Sequence, residues 1–170
     1  FLRRHVRGAE NAFVATTAQL LGVRETRRIV GEYRLDIEHF LALKKSPDDI
    51  ADYSNEIDVH VTGKSKADIA KRMFKEHNTF LPVGKHYGIP YGTLIPLGIC
   101  NLLVAGRAIS CDRKMHGSVR VMPACFATGQ AAGLAAHLAA RADGKVRNVD
   151  VRHLRRCLID QGAFIDMEAS

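Results

Sequence analysis

The chain has 170 residues, 46% of them hydrophobic, and a formal charge of +7; that suits one domain with a respectable core and argues against a disordered tract. An isoelectric point of about 9.5 raises the question of a nucleic-acid partner. However, Arg3, Arg4, Arg27, Arg28, Lys71, Arg72, Arg155 and Arg156 are spread among acidic residues without a nucleic-acid motif, so a solvated basic surface accounts for them and no nucleic acid is expected.

In chain order, residues 8–21 carry an alanine-rich helical pattern that ends at Gly22. The next stretch alternates as a strand, with Arg27, Ile29, Gly31, Tyr33 and Leu35 on the more apolar face. Asp36 is placed to cap a helix reaching about Lys44, with Leu35 and Phe40 as a hydrophobic staple. Ile57 to Val61 reads as a short strand, and Ser65 with Asp68 as a capping pair opening a helix through Ile69, Met73 and Phe74. Pro82, Gly84, Pro90, Gly92, Pro96 and Gly98 punctuate an irregular approach to a buried strand, Leu102 to Ala105. A Gly-Arg turn and a polar loop follow, then a long helix rich in small residues. Pro123 suits that helix's first turn, where its missing N–H is not needed. Cys125, Gly129 and Gly133 fall on one side and are expected to pack closely on a sheet, offsetting the cost of helical glycine. Lys145 to Asn148 reads as a solvated linker. Asp150 then caps a last helix, whose apolar positions Val151, Leu154 and Leu158 continue until Gly162.

The run Val121 to Ala140 is long enough for a membrane span. Its Thr128, Gln130 and His137, and its bulk of alanine and glycine, argue against one, and no signal peptide stands at the start. The four cysteines, at 100, 111, 125 and 157, fit no zinc, iron–sulfur or disulfide pattern. Cys100, Cys125 and Cys157 are expected as buried thiols, and Cys111 as the one in a polar loop that could be reactive. Reduced thiols suit a cytoplasmic protein. Asp58 and His60 share one strand face, but two residues do not make a metal site, and none is expected.

The segment from Asn101 to Ala140 carries the functional signal. A glycine at a strand end admits close approach of a ligand, and a helix N-terminus supplies free N–H groups and positive potential. Together they suit an anionic cofactor. This segment closely resembles the C-terminal FAD-contacting segment of FAD-dependent oxidoreductases of the glutathione reductase type, which include relatives of the heterodisulfide reductase A subunit. Gly22 to Leu35 (GVRETRRIVGEYRL), Ile89 to Pro96 (IPYGTLIP) and Val151 to Ala163 (VRHLRRCLIDQGA) resemble further blocks in family order. Position 92 is glycine where relatives often carry a basic residue.

The resemblance implies an α/β fold (α+β for a fragment): the C-terminal portion of a two-dinucleotide-type FAD-binding fold with part of the substrate region. Residues 1–100 would be the substrate-region portion and 101–170 the C-terminal part of the FAD-binding domain. The implied cofactor-binding residues are Gly106, Arg107, Gly117, Ser118, Arg120 and Val121. Taken alone Gly106 reads as a strand-terminating turn glycine, but the matched block around it favours cofactor contact; Arg107 pairs either with flavin phosphate or with a carboxylate. In the family the helix points at the pyrimidine edge of the flavin, which turns negative on reduction, and Arg120 is the charged residue best placed to add to that potential. His116 and Arg27 are the catalytic candidates: His116 for proton transfer, Arg27 for an anionic substrate. Structural roles remain open for both. Some relatives carry 4Fe-4S clusters, but this sequence holds no ligand set for one.

Such flavoproteins grip the FAD pyrophosphate with a βαβ unit bearing G-x-G-x-x-G, and that motif is absent here. Together with a first residue Phe1 rather than methionine, this leads to the expectation of a fragment of a larger flavoenzyme. Its partners would be the missing N-terminal half, a small and possibly anionic substrate, and a further copy of itself. A flavin-free stand-alone binding or interaction domain that keeps the fold is the alternative.

Overall fold

A computed structural model describes residues 1–58 and 80–166. Helices and one small antiparallel sheet make up the architecture, which is compatible with an α/β fragment. The helices are α1 (Leu2–His5), α2 (Ile37–Leu41), α3 (Arg113–Val119), α4 (Met122–Ala140) and α5 (Val151–Asp160). Strands β1 (Asp49–Tyr53) and β2 (Tyr87–Pro90) pair with Ala51 opposite Ile89, Asp52 opposite Gly88 and Tyr53 opposite Tyr87. Both are almost wholly buried, and beside their apolar residues β1 buries two aspartates, Asp49 and Asp52. Among the described residues no helix is long and apolar enough to cross a membrane.

One core cluster joins Leu35, Phe40, Ile50, Tyr87, Ile89, Leu94, Met115, Ala131 and Leu158. Helix α4 covers it with a line of small residues, Ala124, Thr128, Ala131, Ala135 and Ala139. Alanine there lets the helix axis approach the sheet and costs no side-chain entropy. Helix α5 adds Leu154 and Leu158, and its buried Arg155 closes the base: Nη1 donates to the Asp49 carbonyl (2.5 Å) and Nη2 to that of Asp166 (3.1 Å).

The two aspartate caps form as their positions require. Asp36 accepts the His39 N–H (2.9 Å), and Asp150 accepts those of Arg152 and His153. Gly162 beyond α5 has φ +87°. Helix α2 stops at Leu41 rather than near Lys44, and Leu43 enters the left-handed region at φ +50°. Leu35 and Phe40 are both fully buried.

Several expectations are corrected. Residues 8–21 form no helix: Phe13, Val14, Leu20 and Leu21 are at least 80% exposed, and a short helix without a surface to pack on is marginal in water. Residues 22–35 are largely without regular pairing. Their backbone instead threads between two segments, Ile29 N–H donating to Ala108 and Leu35 N–H to Ser110 on one side, and Glu32 N–H to Ile95 on the other. Leu102 to Ala105 is not a buried strand. Leu102 is exposed, and the Val104 N–H donates to the Leu94 carbonyl (2.8 Å) without a ladder forming. Lys145 to Asn148 is not a solvated linker, since Val146–Asn148 is a buttressed 3-10 turn. There Tyr91 Oη donates to the Val146 carbonyl (2.9 Å), and Arg147 reaches Glu32 and the Pro96 carbonyl (2.8 Å). The expected Ile57 to Val61 strand is absent at Ile57 and Asp58 and otherwise lies outside the described residues, as do His60 and the expected helix of Ile69, Met73 and Phe74.

Candidate functional site

Gly106 adopts φ +70°, a conformation that side-chain-bearing residues rarely take, and it opens a 3-10 turn through Ala108. Its N–H donates to Thr128 Oγ1 (3.0 Å), which also bonds the Ala124 carbonyl (2.7 Å), so the turn is pinned to the first turns of α4. A Cβ on Gly106 would stand 3.7 Å from Cys125 Sγ, an ordinary contact. The positive φ, rather than crowding, therefore demands glycine. Arg107 is exposed and donates to the Val23 carbonyl, tying the turn to residues 22–28.

The region between the turn and α4 is not a polar loop. Asp112 caps α3 by accepting the Met115 N–H (2.7 Å), and its other oxygen accepts the Ile37 N–H (3.0 Å). Helix α3 buries Met115, His116, Gly117, Ser118 and Val119. Val121 is the extended residue that starts α4, with Pro123 in the first turn and no side-chain cap. The Tyr53 hydroxyl meets the Ala124 N–H there, and burial pushes its pKa up to about 12.

Among the described residues, five charged or titratable ones cluster beneath this junction. His116 is fully buried; its Nε2–H donates to the Arg107 carbonyl (2.9 Å). That bond leaves Nδ1 as the second ring position, 3.6 Å from Glu25 Oε1 and, among the described residues, without a hydrogen bond. Arg120 is buried as well. It directs Nη1 to Glu25 Oε1 (2.9 Å) and Nη2 to the Asp58 carbonyl (2.7 Å), with Asp58 Oδ2 at 3.4 Å. Arg24 lies 3.6 Å from the same Asp58 oxygen.

The structure thus gathers Gly106, Arg107, His116, Arg120 and Val121 around one turn. Gly117 and Ser118 are buried in α3, where Ser118 Oγ donates to the Asn55 carbonyl (2.6 Å) and meets Tyr87 Oη (2.7 Å). Arg27 is exposed and is not drawn into the cluster. Sequence reading missed Glu25 as the hub. Its position inside the Arg-Glu-Thr-Arg-Arg run marks Glu25 as an ion-pair residue, but not its partner Arg120, which lies 95 residues away.

The cysteine expectations change. Cys111 is buried beside Leu35, and desolvation pushes its thiol up to about 12, which makes it unreactive rather than poised. Cys100 is exposed, and Cys125 and Cys157 are half-buried; all four are free thiols. Gly92 has a packing reason to be glycine: a Cβ there would lie 3.0 Å from Tyr33 Cβ and 3.2 Å from Tyr33 N. Gly129 and Gly133 are exposed with nothing within 4 Å of an added Cβ, so no described element packs on that side of α4.

A family model described as FAD dependent oxidoreductase matches residues 1–158. The chain belongs to that family. No curated protein and no solved structure matches it. Membership of this family implies FAD as the cofactor and oxidoreductase chemistry.

The site fits this cofactor in part. A left-handed glycine at the first turns of an uncapped helix suits close approach of an anionic group. Arg120 does not offer itself, because Glu25 and Asp58 already occupy its donors.

Proposed function

We propose that this chain is the C-terminal part of an FAD-dependent oxidoreductase of the glutathione reductase type, related to heterodisulfide reductase A-subunit proteins. It would contribute one wall of the flavin site, with residues 101–170 forming the FAD-facing portion and residues 1–100 the substrate-facing portion. Gly106 and the backbone at Val121 would hold the cofactor, with Arg107 within reach through its long side chain. The bound FAD would supply the hydride and electron chemistry. His116, locked by its Nε2–H bond to the Arg107 carbonyl, turns its second ring nitrogen toward Glu25, 3.6 Å away, and is the residue assigned to proton transfer. Arg27, exposed and cationic, is the residue available to an anionic substrate.

The observation that carries the fragment reading is the uncovered side of α4. Two helix-interior glycines face open space there at a cost of about 1 kcal/mol each relative to alanine. Leu102, at the edge of the extended segment leading to Gly106, is exposed too, as are Met122 and Phe126. A βαβ unit bearing G-x-G-x-x-G would cover this side and provide the pyrophosphate grip. In its absence the chain should bind FAD weakly, and the same apolar side should drive self-association. A reduced cytoplasmic setting fits the free thiols.

Titration of the purified 170-residue chain with FAD, followed by flavin fluorescence, tests the reading. The expected result is a colourless protein without saturable binding at micromolar FAD; a stoichiometric yellow complex would overturn it. Sequencing upstream of Phe1 supplies the second arm, and an open reading frame there without a G-x-G-x-x-G unit would contradict the proposal.

A further inference from the structure

We propose that Asp52, His86 and Asp166 form a site for a divalent transition-metal ion of the Zn2+, Co2+ or Mn2+ class, gated by the ammonium of Lys45. The proposal does not depend on the flavin reading.

Three parts of the chain build it. Asp52 is on β1 opposite Gly88, and His86 precedes β2, so the two project from one sheet face as diagonal neighbours. The tail after α5 is laid along β1: the Asp52 N–H donates to the Phe164 carbonyl (3.1 Å), and Asp52 Oδ2 accepts the Asp166 N–H (2.6 Å). Arg155 holds the Asp166 carbonyl from the other side (3.1 Å). One ligand atom from each of Asp52, His86 and Asp166 lies within 4.8 Å of the other two. His86 Nδ1 is 3.6 Å from Asp52 Oδ2; ligands on a tetrahedral metal with bonds of 2.0–2.2 Å stand about 3.4 Å apart.

A positive centre already occupies the spot. Lys45 Nζ contacts both Asp52 Oδ1 and His86 Nδ1. An imidazole nitrogen faces an ammonium with its lone pair, the same form that a metal requires. The Asp52 carboxylate is buried and the Lys45 side chain about one-fifth exposed (1% and 21%), so the flexible lysine stem is the member able to withdraw to water. Beside the cluster is a cavity of about 400 Å³, lined by Asp52 and His86 together with Ser54, Leu81 and Phe164. It leaves room for water or a substrate oxygen to complete the coordination. Three protein ligands with one open position form the arrangement of catalytic rather than structural sites. One imidazole and two carboxylates favour borderline cations over Ca2+ or Mg2+.

Cobalt titration of the 170-residue chain, read by visible absorption and by calorimetry, tests this. The chain should take up one equivalent. Lys45→Met removes the competing ammonium and should tighten binding by about tenfold. His86→Ala removes a ligand outright and should weaken binding by more than the roughly 10–100-fold that loss of a mere outer-shell partner costs. Circular dichroism of metal-free His86→Ala should match the unaltered chain, so that the loss belongs to the ligand. If that variant does not fold, Lys45→Met decides alone. Equal binding by His86→Ala when folded, or no tightening by Lys45→Met, would overturn the proposal and leave Lys45 as the counter-ion of a buried carboxylate.

Discussion

Replacing Arg120 with methionine keeps the length of the side chain and removes its charge and its fork. Arg120 is buried, with three donor contacts to Glu25 and Asp58 between 2.7 and 3.4 Å. Breaking a fully buried ion pair costs about 3–5 kcal/mol. Here the Glu25 and Asp58 side chains are 38% and 43% exposed, so water rescues part of their solvation and the expected loss falls to about 2–3 kcal/mol. For a chain of this length, each kcal/mol shifts Tm by about 2–4 °C, which gives a fall of about 4–12 °C. Arg120→Lys restores the charge but not the two-pronged geometry, so it should recover only part of that loss. Glu25→Gln leaves an amide oxygen for Nη1 and should cost about 1 kcal/mol. Thermal unfolding by circular dichroism at constant pH measures all three. An Arg120→Met variant melting within about 2 °C of the unaltered chain would refute the assignment of Arg120 as the clamp between residues 25, 58 and α3.

Three further outcomes follow from local geometry. Gly106→Ala should destabilise by about 1–2 kcal/mol, the cost of the left-handed conformation, and no more, because an added Cβ meets only Cys125, at ordinary contact distances of 3.7 Å from Sγ and 3.9 Å from Cβ; an unchanged denaturation midpoint would show that the turn relaxes. Burial raises the Asp49 carboxyl from 3.8 to about 6. The folded state therefore keeps a proton that the unfolded state has released, so the contribution of this carboxyl to stability is fullest below about pH 4 and is lost as pH rises through about 6, on the order of 3 kcal/mol; urea melts from pH 4 to 7.5 should show the unaltered chain losing stability relative to Asp49→Asn across that range, and parallel pH profiles for the two would contradict the assignment. Gly129→Ala and Gly133→Ala should each stabilise the chain by up to about 1 kcal/mol, because the new methyl meets nothing. That gain belongs to the monomer, at dilutions where light scattering shows no larger species; destabilisation of the monomer by either substitution would contradict the open space on that side of α4.

What was legible in the sequence was local. Asp36 and Asp150 announce helices because a carboxylate at an N-cap satisfies nearby N–H groups whatever the rest of the fold does. Pro123 and Gly162 mark a start and a stop for equally local reasons. The errors lie where a partner surface decides. Residues 8–21 have helical composition but no described surface to pack on, and the alternating pattern of residues 22–35 is met by single bonds to two segments rather than by a ladder. Helix α3 escaped detection because Arg113, Lys114, Gly117 and Ser118 look like loop residues. Its burial comes from Asp112, which caps α3 while also holding the start of α2, 75 residues away in sequence. The burial of Cys111 and the pairing of Glu25 with Arg120 are likewise products of long-range contact, which no spacing rule encodes.

The Glu25 cluster also changes the electrostatics expected at the start of α4. Taken alone, Arg120 just before that helix would add its charge to the helix end. In the folded chain its guanidinium is matched by Glu25 and Asp58, and Arg24 joins the same group, so among the described residues two cations stand against two carboxylates. Within that group Arg120 contributes shape more than potential. Positive potential near Val121 then arises chiefly from the backbone: α4 has no side-chain cap, and a helix terminus is worth roughly 0.3–2 kcal/mol to an adjacent anion. Charge held by peptide dipoles cannot be removed by a side-chain substitution, whereas a change of helix position alters it at once. On this argument Arg120 and Glu25 matter to an anion bound there by fixing where α4 begins, and Gly106 matters by letting the chain pass close to that point without a side chain in the way.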